Sequence, residues 1–519
     1  MLIVHSMIVI IVLSFTDGAR ILGIFPMAAV SHHTLYSKLM KGLAEAGHDV
    51  TVVSPYRLKE LPKNGKYRDV VLEGFAAEYE DKLKSLNYFE LREKSLIDRY
   101  FHFTALMLPT TNHTLHNANL KKLVESNETF DALILEQMFN DNMKVYGYIF
   151  NCPVILLSPF GPNSWVNPTV GNPQPPSYVP QMNQQDFSND LSFFNRANNL
   201  YCFIVEYLIF KYYIFPQQER MMHAIYPDAP PLDDLYSNVS LVLLSSHTSI
   251  WSPVPLVPNM VEIGGFFIDP PKKLPPDLQE FMDKATEGVI YFSMGSNLRS
   301  KNIPLEKKQA FLNVFKKLKQ KVIWKFEDEN LPNKPQNVLI RKWCPQTDIL
   351  AHPNTKLFIT HGGLLSTTEA IHYGIPLLAI PVFGDQPTNA AKAVMNGYAL
   401  QLDYHDPNFN EETLDYMLKE LLNNPVYMKT AKEKSTIYHD RPMKPMEAAV
   451  FWVEYVIKHR GAPHLRVAGL RMPWYQYFMV DVLGCAVLAL VLIAYVFNVA
   501  IRRVFRQKSG KVTSLKKIN

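Results

Sequence analysis

The chain has 519 residues, 47% of them hydrophobic, with 53 Lys and Arg against 48 Asp and Glu. That length allows two or three ordinary domains with sizeable cores, and a net charge of +5 gives no support for nucleic-acid binding. The four cysteines, Cys152, Cys202, Cys344 and Cys485, are widely spaced without a C-x-x-C, which argues against a disulfide framework or a zinc site.

Taken in chain order, Met7 to Leu13 is a short apolar run followed by small residues at Thr16, Gly18 and Ala19. That is the pattern of a secretory signal over 1–19, although its front carries only His5 and no Lys or Arg; a first strand extended backwards is the alternative. Residues 20–25 read as a parallel-type strand, and the helix after them places Leu35, Leu39, Leu43 and Ala46 on one face before Gly47 stops it. Segment 49–54 (DVTVVS) completes a βαβ unit, with further strands expected at 132–135, 154–158 and 239–244. Segments 60–120 and 159–231 are irregular and rich in aromatic residues and proline. They are insertions on a first domain over 20–250, and serve either as apolar walls of a pocket or as core helices without a ligand role. Proline recurs through 251–276, which reads as an interdomain linker.

A second α/β series over 277–445 opens with VIYFS at 289–293 and continues with a helix at 304–319 and strands at 321–326 and 337–343. Near the other end, 482–501 is apolar apart from Asn498. A helix over 478–501 is long enough to cross a ~30 Å hydrocarbon layer. The tail, 502–519, carries Arg502, Arg503, Arg506, Lys508, Lys511, Lys516 and Lys517 and no acid, so the positive-inside rule makes it cytosolic and the body luminal. The final Lys516-Lys517-Ile518-Asn519 is similar to a dilysine retrieval signal, and sequons at Asn112, Asn127 and Asn238 agree with a luminal body. The ends together describe a single-pass type I protein of the endoplasmic reticulum membrane.

The most informative stretch is FITHGGLLSTTEAIHYGIPLLAIPVFGDQ, 358–386. A short strand runs into His361-Gly362-Gly363, a helix suits 365–373 and stops at Gly374, and a buried strand at 377–382 ends in Gly384-Asp385-Gln386. In an open α/β sheet, ligands sit at the carboxyl ends of strands and anions at helix N-termini. His361, the glycine N–H groups and Ser366 are therefore placed to hold phosphate, while Asp385 and Gln386 can grip hydroxyls. Ser293-Met294-Gly295-Ser296 also follows a strand directly, and its glycine permits close backbone approach to a diphosphate.

This segment resembles the signature of the UDP-glycosyltransferases, with Asn in many relatives where Leu365 stands here. Trp343-Cys344-Pro345-Gln346 is similar to the family's W-x-P-Q element, in which the indole stacks on uracil. The resemblance implies an α/β GT-B fold, two Rossmann-like domains facing across a cleft, with a helical segment over 446–477 crossing back onto the first domain. It implies that Glu369 accepts from the ribose hydroxyls. It also implies that a histidine in the first βα loop removes the acceptor's proton. Counting back from Gly47-His48 selects His32 over His33. A base needs a carboxylate on its other ring nitrogen; relatives place Asp where Glu136 stands, and Asp141 is the alternative.

No D-x-D stands convincingly after a strand, since Glu327-Asp328-Glu329 reads as a solvated loop. No metal and no cofactor are expected, the UDP-sugar being a co-substrate. The implied activity is inverting transfer of a hexose from a UDP-sugar to a hydroxyl of small lipophilic acceptors, as in detoxification. Glucose is favoured, because THGGLLSTTEAIHYG and LAEAGHDVTVVSP look most like insect members; glucuronate would need an Arg or Lys near Asp385. Two other readings stay open, a non-catalytic GT-B carrier of small apolar ligands and a single-pass adhesion or receptor protein. Self-association is also left open.

Overall fold

The computed structural model describes residues 18–79, 94–181, 192–296, 298–328 and 330–515. The body of the expected secretory signal and the Lys516-Lys517 pair lie outside the described residues.

Residues 18–466 form one compact unit built on two parallel sheets. The first contains β1 (Arg20–Ile24), β2 (Asp49–Ser54), β3 (Lys66–Val71), β4 (Ala132–Glu136), β5 (Val154–Ser158), β6 (Val239–Leu244) and β7 (Met260–Glu262), in the order β3-β2-β1-β4-β5-β6-β7. The second contains β8 (Val289–Ser293), β9 (Lys321–Lys325), β10 (Val338–Arg341), β11 (Thr355–Thr360), β12 (Leu377–Ala379) and β13 (Ala399–Gln401), in the order β10-β9-β8-β11-β12-β13. The central strands are apolar along their whole length because helices cover both faces. Each sheet reverses its winding beside its first strand, between β1 and β4 and between β8 and β11. Those two reversals are where a doubly wound sheet opens a crevice.

The register brings the crevice edges level. Ile24 pairs with Leu135 at the ends of β1 and β4. Ser293 pairs with Thr360 at the ends of β8 and β11. After β1 comes α1 (Val30–Glu45), which buries Leu35, Tyr36, Leu39, Met40, Leu43 and Ala44. Ala44, not Ala46, completes the buried face, since Ala46 lies past the last turn and is exposed. Gly47 then reverses the chain at φ +104°, a conformation that favours glycine.

Much of the irregular first-half sequence is helical. α2 (Leu96–Leu115) is capped by the Ser95 hydroxyl, which accepts from Asp98 N–H, and α3 (Phe193–Ile209) by Ser192 accepting from Asn195 N–H. Pro109 inside α2 and dense aromatics hide the helical period from a sequence reader. The proline-rich stretch at 251–276 also contains structure, because β7 pairs with β6 and Ile263, Phe266 and Phe267 enter the first core.

In the second half, α4 (Gln346–Ala351), α5 (Leu364–Tyr373) and α6 (Gln386–Met395) each begin at the carboxyl edge of the sheet. Helix α7 (Pro445–Lys458) returns to the first half, where Ala449, Val453 and Val456 join its core and Glu454 lies 3.2 Å from His48 Nε2. The described residues from 467 to 515 form a separate unit dominated by α8 (Val480–Leu515), which runs further than the expected 478–501 at its C-terminal end. Within it Val480–Arg506, which contains an 18-residue stretch of mean hydropathy 2.6, is long and apolar enough to cross a membrane, and it is the one such helix among the described residues.

Candidate active site

The β1/β4 crevice holds a histidine–carboxylate pair. α1 starts without a side-chain cap, so His32 sits in its first turn facing the end of β4. There His32 Nδ1 is 2.5 Å from Glu136 Oε1, and Glu136 is only 1% exposed. A carboxylate accepts, so Nδ1–H donates and Nε2 is left as the basic atom. Burial pulls the His32 pKa down, but Glu136 and the opposite half's Asp385 more than offset this and raise it above its ordinary value. His33 is set differently, with Nδ1 2.9 Å from Tyr36 Oη and burial pushing its pKa down to about 4.

Asp141 does not reach His32. Its carboxylate is buried against Lys144 and accepts from Gln137 Nε2 at 2.8 Å. The reason is local: residues 141–144 form a 3-10 turn that places Lys144 directly over Asp141. Of the two carboxylates considered from the sequence, the geometry brings only Glu136 to the imidazole.

The β8/β11 crevice holds the second constellation. Ser293 Oγ accepts from Gly295 N–H at 3.2 Å, and Gly295 adopts φ +82° against the His361 ring. A Cβ at Gly295 would come within 2.5 Å of His361 Cε1, and one at Gly363 within 2.6 Å of Nε2. The imidazole is thus clamped between two residues that must be glycine. Burial, with Lys325 nearby, pushes the His361 pKa down to about 4, so it is a neutral donor at neutral pH. Gly363 is the N-cap of α5 and offers no side-chain cap; the Leu364 N–H at the first position donates to the Asp385 carboxylate, and the N–H groups of the rest of the first turn face a position for an anion.

Trp343 is 68% exposed at the lip of the cleft, while Cys344 beneath it is buried and its thiol pushed up to about 11 by burial. Gln346 donates to Ser366 Oγ at 3.1 Å and to Glu369, which also accepts from Thr347 Oγ1 at 2.6 Å. Burial raises the Glu369 pKa against these bonds. Asp385 accepts from Asn389 at 2.6 Å, and burial raises its pKa as well. Gln386 departs from its expected use in part. Its carbonyl accepts from the N–H groups of Val382 at 2.9 Å and Phe383 at 3.1 Å, so only its amide NH2 is left for a ligand.

Of the site residues expected from the sequence, all except Glu136 and Asp141 line one cavity of ≈ 590 Å³, from His32 on one side to Ser293, Ser296, His361, Asp385 and Gln386 on the other. Its first-half wall carries Tyr100, Phe103 and Leu106 of α2 with Met138, Phe160 and Trp165, and beside them the polar side chains of Lys38, Arg99 and His102. Phe103 stacks 6.1 Å from Trp165 and packs edge-on 5.1 Å from Phe139. Sequence reasoning reached this wall only as a segment, because no local motif marks it. It also missed Lys325, at the carboxyl end of β9, which lines the donor side. Leu365 lines the cavity too and packs against the first-half core, so the departure from Asn puts an apolar bridge where a polar contact was expected.

Two parallel Rossmann-like sheets, with a histidine–carboxylate pair at one winding reversal and a glycine-clamped histidine at the other, make the GT-B arrangement. Solved structures agree on the fold: the spinosyn forosaminyltransferase SpnP covers 85% of this chain and 99% of its own at TM-score 0.57 and 17% identity. The glycosyltransferase VinC, solved in complex with DTDP, gives 0.57 and 17% over 85% of this chain and 100% of its own. The family model for UDP-glucoronosyl and UDP-glucosyl transferase matches residues 20–514, and the chain belongs to that family. It is 36% identical to UDP-glycosyltransferase UGT5 of Dactylopius coccus over 97% of this chain and 96% of that one. It is 33% identical to UDP-glucuronosyltransferase 2B17 of Rattus norvegicus over 94% of each. The protein is a UDP-glycosyltransferase enzyme.

Proposed function

We propose that the enzyme transfers glucose from UDP-glucose to a hydroxyl of small lipophilic acceptors, with inversion at the anomeric carbon. The observation that carries this reading is His32, held by Glu136 at Nδ1 and felt electrostatically by Asp385 across the cleft. The acceptor lies on the aromatic wall with its hydroxyl at Nε2. Nε2 takes the hydroxyl proton as the oxygen attacks the anomeric carbon, and the bond to the diphosphate oxygen breaks with its electron pair leaving on UDP. The Nδ1–H to Glu136 bond strengthens as the imidazolium forms. Uracil stacks on Trp343, the ribose hydroxyls meet Glu369, and the diphosphate meets Gly295, His361 and the N-terminus of α5. In this reading the leaving charge needs no metal or cofactor.

Glucose is favoured over a hexuronate because the cavity-lining neighbours of Asp385, namely Phe383, Gly384, Gln386, Pro387 and Thr388, are uncharged. Lys392, further along α6, is close enough to Asp385 to interact with it electrostatically, but it lies outside the cavity lining with its ammonium over the Trp251 ring, 3.2 Å from the centroid. A UDP-release assay with UDP-glucose and UDP-glucuronate against a panel of phenols tests the reading. Losing a general base costs ~10²–10⁴ in rate, so His32→Ala should lose most turnover and still bind UDP. Wild-type turnover in that variant removes His32 from the mechanism, and faster UDP-glucuronate turnover overturns the donor assignment.

The same reading places the body in the lumen of the endoplasmic reticulum, held by α8, in a role such as detoxification. Asn112, Asn127 and Asn238 are all exposed, as glycan acceptors must be. An endoglycosidase mobility shift on microsomal protein supports that orientation, and sequon-independent mobility counts against it.

A further inference from the structure

The geometry points to Lys325 as the cation that holds the donor's diphosphate, an assignment that rests on the UDP-sugar reading above. Lys325 ends β9, the strand beside β8, and is 8% exposed in the cavity wall. Its Nζ donates to the Gly295 carbonyl at 2.8 Å and to Glu327 Oε1 at 3.1 Å. An ammonium has three N–H bonds, and these two acceptors are its only hydrogen-bond partners in the described structure. The ammonium stands 5.9 Å from the centroid of Trp343 and near enough to His361 to oppose its protonation. It therefore lies between the ring on which the base stacks and the turn that faces the phosphates.

That interval is where two phosphate groups must sit if the base is on Trp343 and the sugar at Asp385. His361 is neutral there and α5 offers only the partial charge of a helix end. The ammonium, held in its ion pair with Glu327, gives one further charge-assisted N–H to a phosphate oxygen and so answers the charge that grows on UDP as it leaves. The carbonyl of Gly295 and the carboxylate of Glu327 fix the ammonium in advance, so no ordering of the lysine is required when the donor arrives.

The test titrates uridine, UMP and UDP separately into the full-length wild type, Lys325→Met and Lys325→Arg by calorimetry. Loss of one charge-assisted bond predicts a UDP affinity ~10–100-fold lower in Lys325→Met with uridine affinity unchanged. Lys325→Arg, which keeps the charge, should recover most of the difference. Uridine binding also reports that the pocket is folded. If uridine and UDP weaken together, Lys325 only braces the Ser293–Gly295 turn and the proposal is overturned. An unchanged UDP-to-uridine ratio overturns it equally. If the wild type binds none of the three, the UDP-sugar reading itself fails.

Discussion

Replacing Glu136 by Gln tests how the base is set. Glu136 Oε1 holds His32 Nδ1 at 2.5 Å, while its Oε2 is buried with no hydrogen-bond partner among the described residues. In the proposed mechanism His32 becomes imidazolium in the transition state, and the bond to a charged partner is worth ~1.5–3 kcal/mol. At 1.36 kcal/mol per decade, that bond alone is ~10–150-fold in rate. Gln keeps the shape and loses the charge. With its carbonyl toward His32 it leaves a buried NH2 where no acceptor waits; with its NH2 toward His32 it moves the ring proton to Nε2, the atom that must accept. The second arrangement disables the base, so kcat should fall ~10²–10⁴. Burial lowers the His32 pKa and the Glu136 carboxylate works against it. A base acts above its pKa, and activity is lost as pH falls through it. Removing the carboxylate lowers that pKa, so the acid limb of kcat/KM must move to lower pH in Glu136→Gln while UDP affinity stays the same. Measuring UDP release against pH for both proteins decides this. An acid limb that stays in place or moves up, or an unchanged plateau, refutes the reasoning.

Other consequences can be checked independently. Lys144 and Asp141 are 1% and 0% exposed, and stranding one buried charge costs ~3–5 kcal/mol. Lys144→Met should lower the denaturant midpoint accordingly, and adding Asp141→Asn should restore most of it. His33, His247, His361 and His372 are each pushed down to about 4, burial being the main cause. Their folded pKa values lie below the unfolded ~6.5, so the unfolded chain binds more protons between those limits and stability falls as pH drops from ~6.5 toward 4. Urea midpoints across that range, flat or rising toward acid, would contradict this. Gly363→Ala adds a Cβ that collides with the His361 ring at ordinary backbone angles. It should weaken UDP binding far more than it lowers the melting temperature. Phe103→Ala opens the aromatic wall and should raise the KM for acceptors while leaving that for the UDP-sugar unchanged; equal rises would place Phe103 outside the acceptor site.

The two constellations differ in how much of them could be read from the sequence, for a physical reason. The anion cradle is built from backbone N–H groups, a helix start and a clamped imidazole. Those requirements fix glycine at short spacings, so 358–386 announces itself as a contiguous string. Its one opaque member is Lys325, because β9 joins the cradle through sheet pairing and not through chain proximity. The proposed base is one side chain whose partner lies 104 residues away. Nothing local separates Glu136 from Asp141, and only the alignment of β1 with β4 shows which carboxylate meets His32. The acceptor wall was least legible: α2 has a proline inside it, and its pocket-facing rings are chosen by shape, which imposes no spacing.

The shared winding of the two sheets explains why these unlike parts face each other. Both use the reversal beside their first strand, where crossover helices leave to opposite faces and the strand ends are uncovered. The first half puts a neutral-to-cation switch there, and the second puts fixed donors that do not titrate near neutrality. α7 stitches the halves together by entering the first core from the end of the second. A loss at that seam, such as Val453→Asp, which buries a charge among apolar side chains, should therefore harm catalysis more than UDP binding. The second half folds around its own core and keeps the cradle, whereas the coupling of Asp385 to His32 depends on the seam. Equal loss of both would mean that the cradle does not persist without the first half.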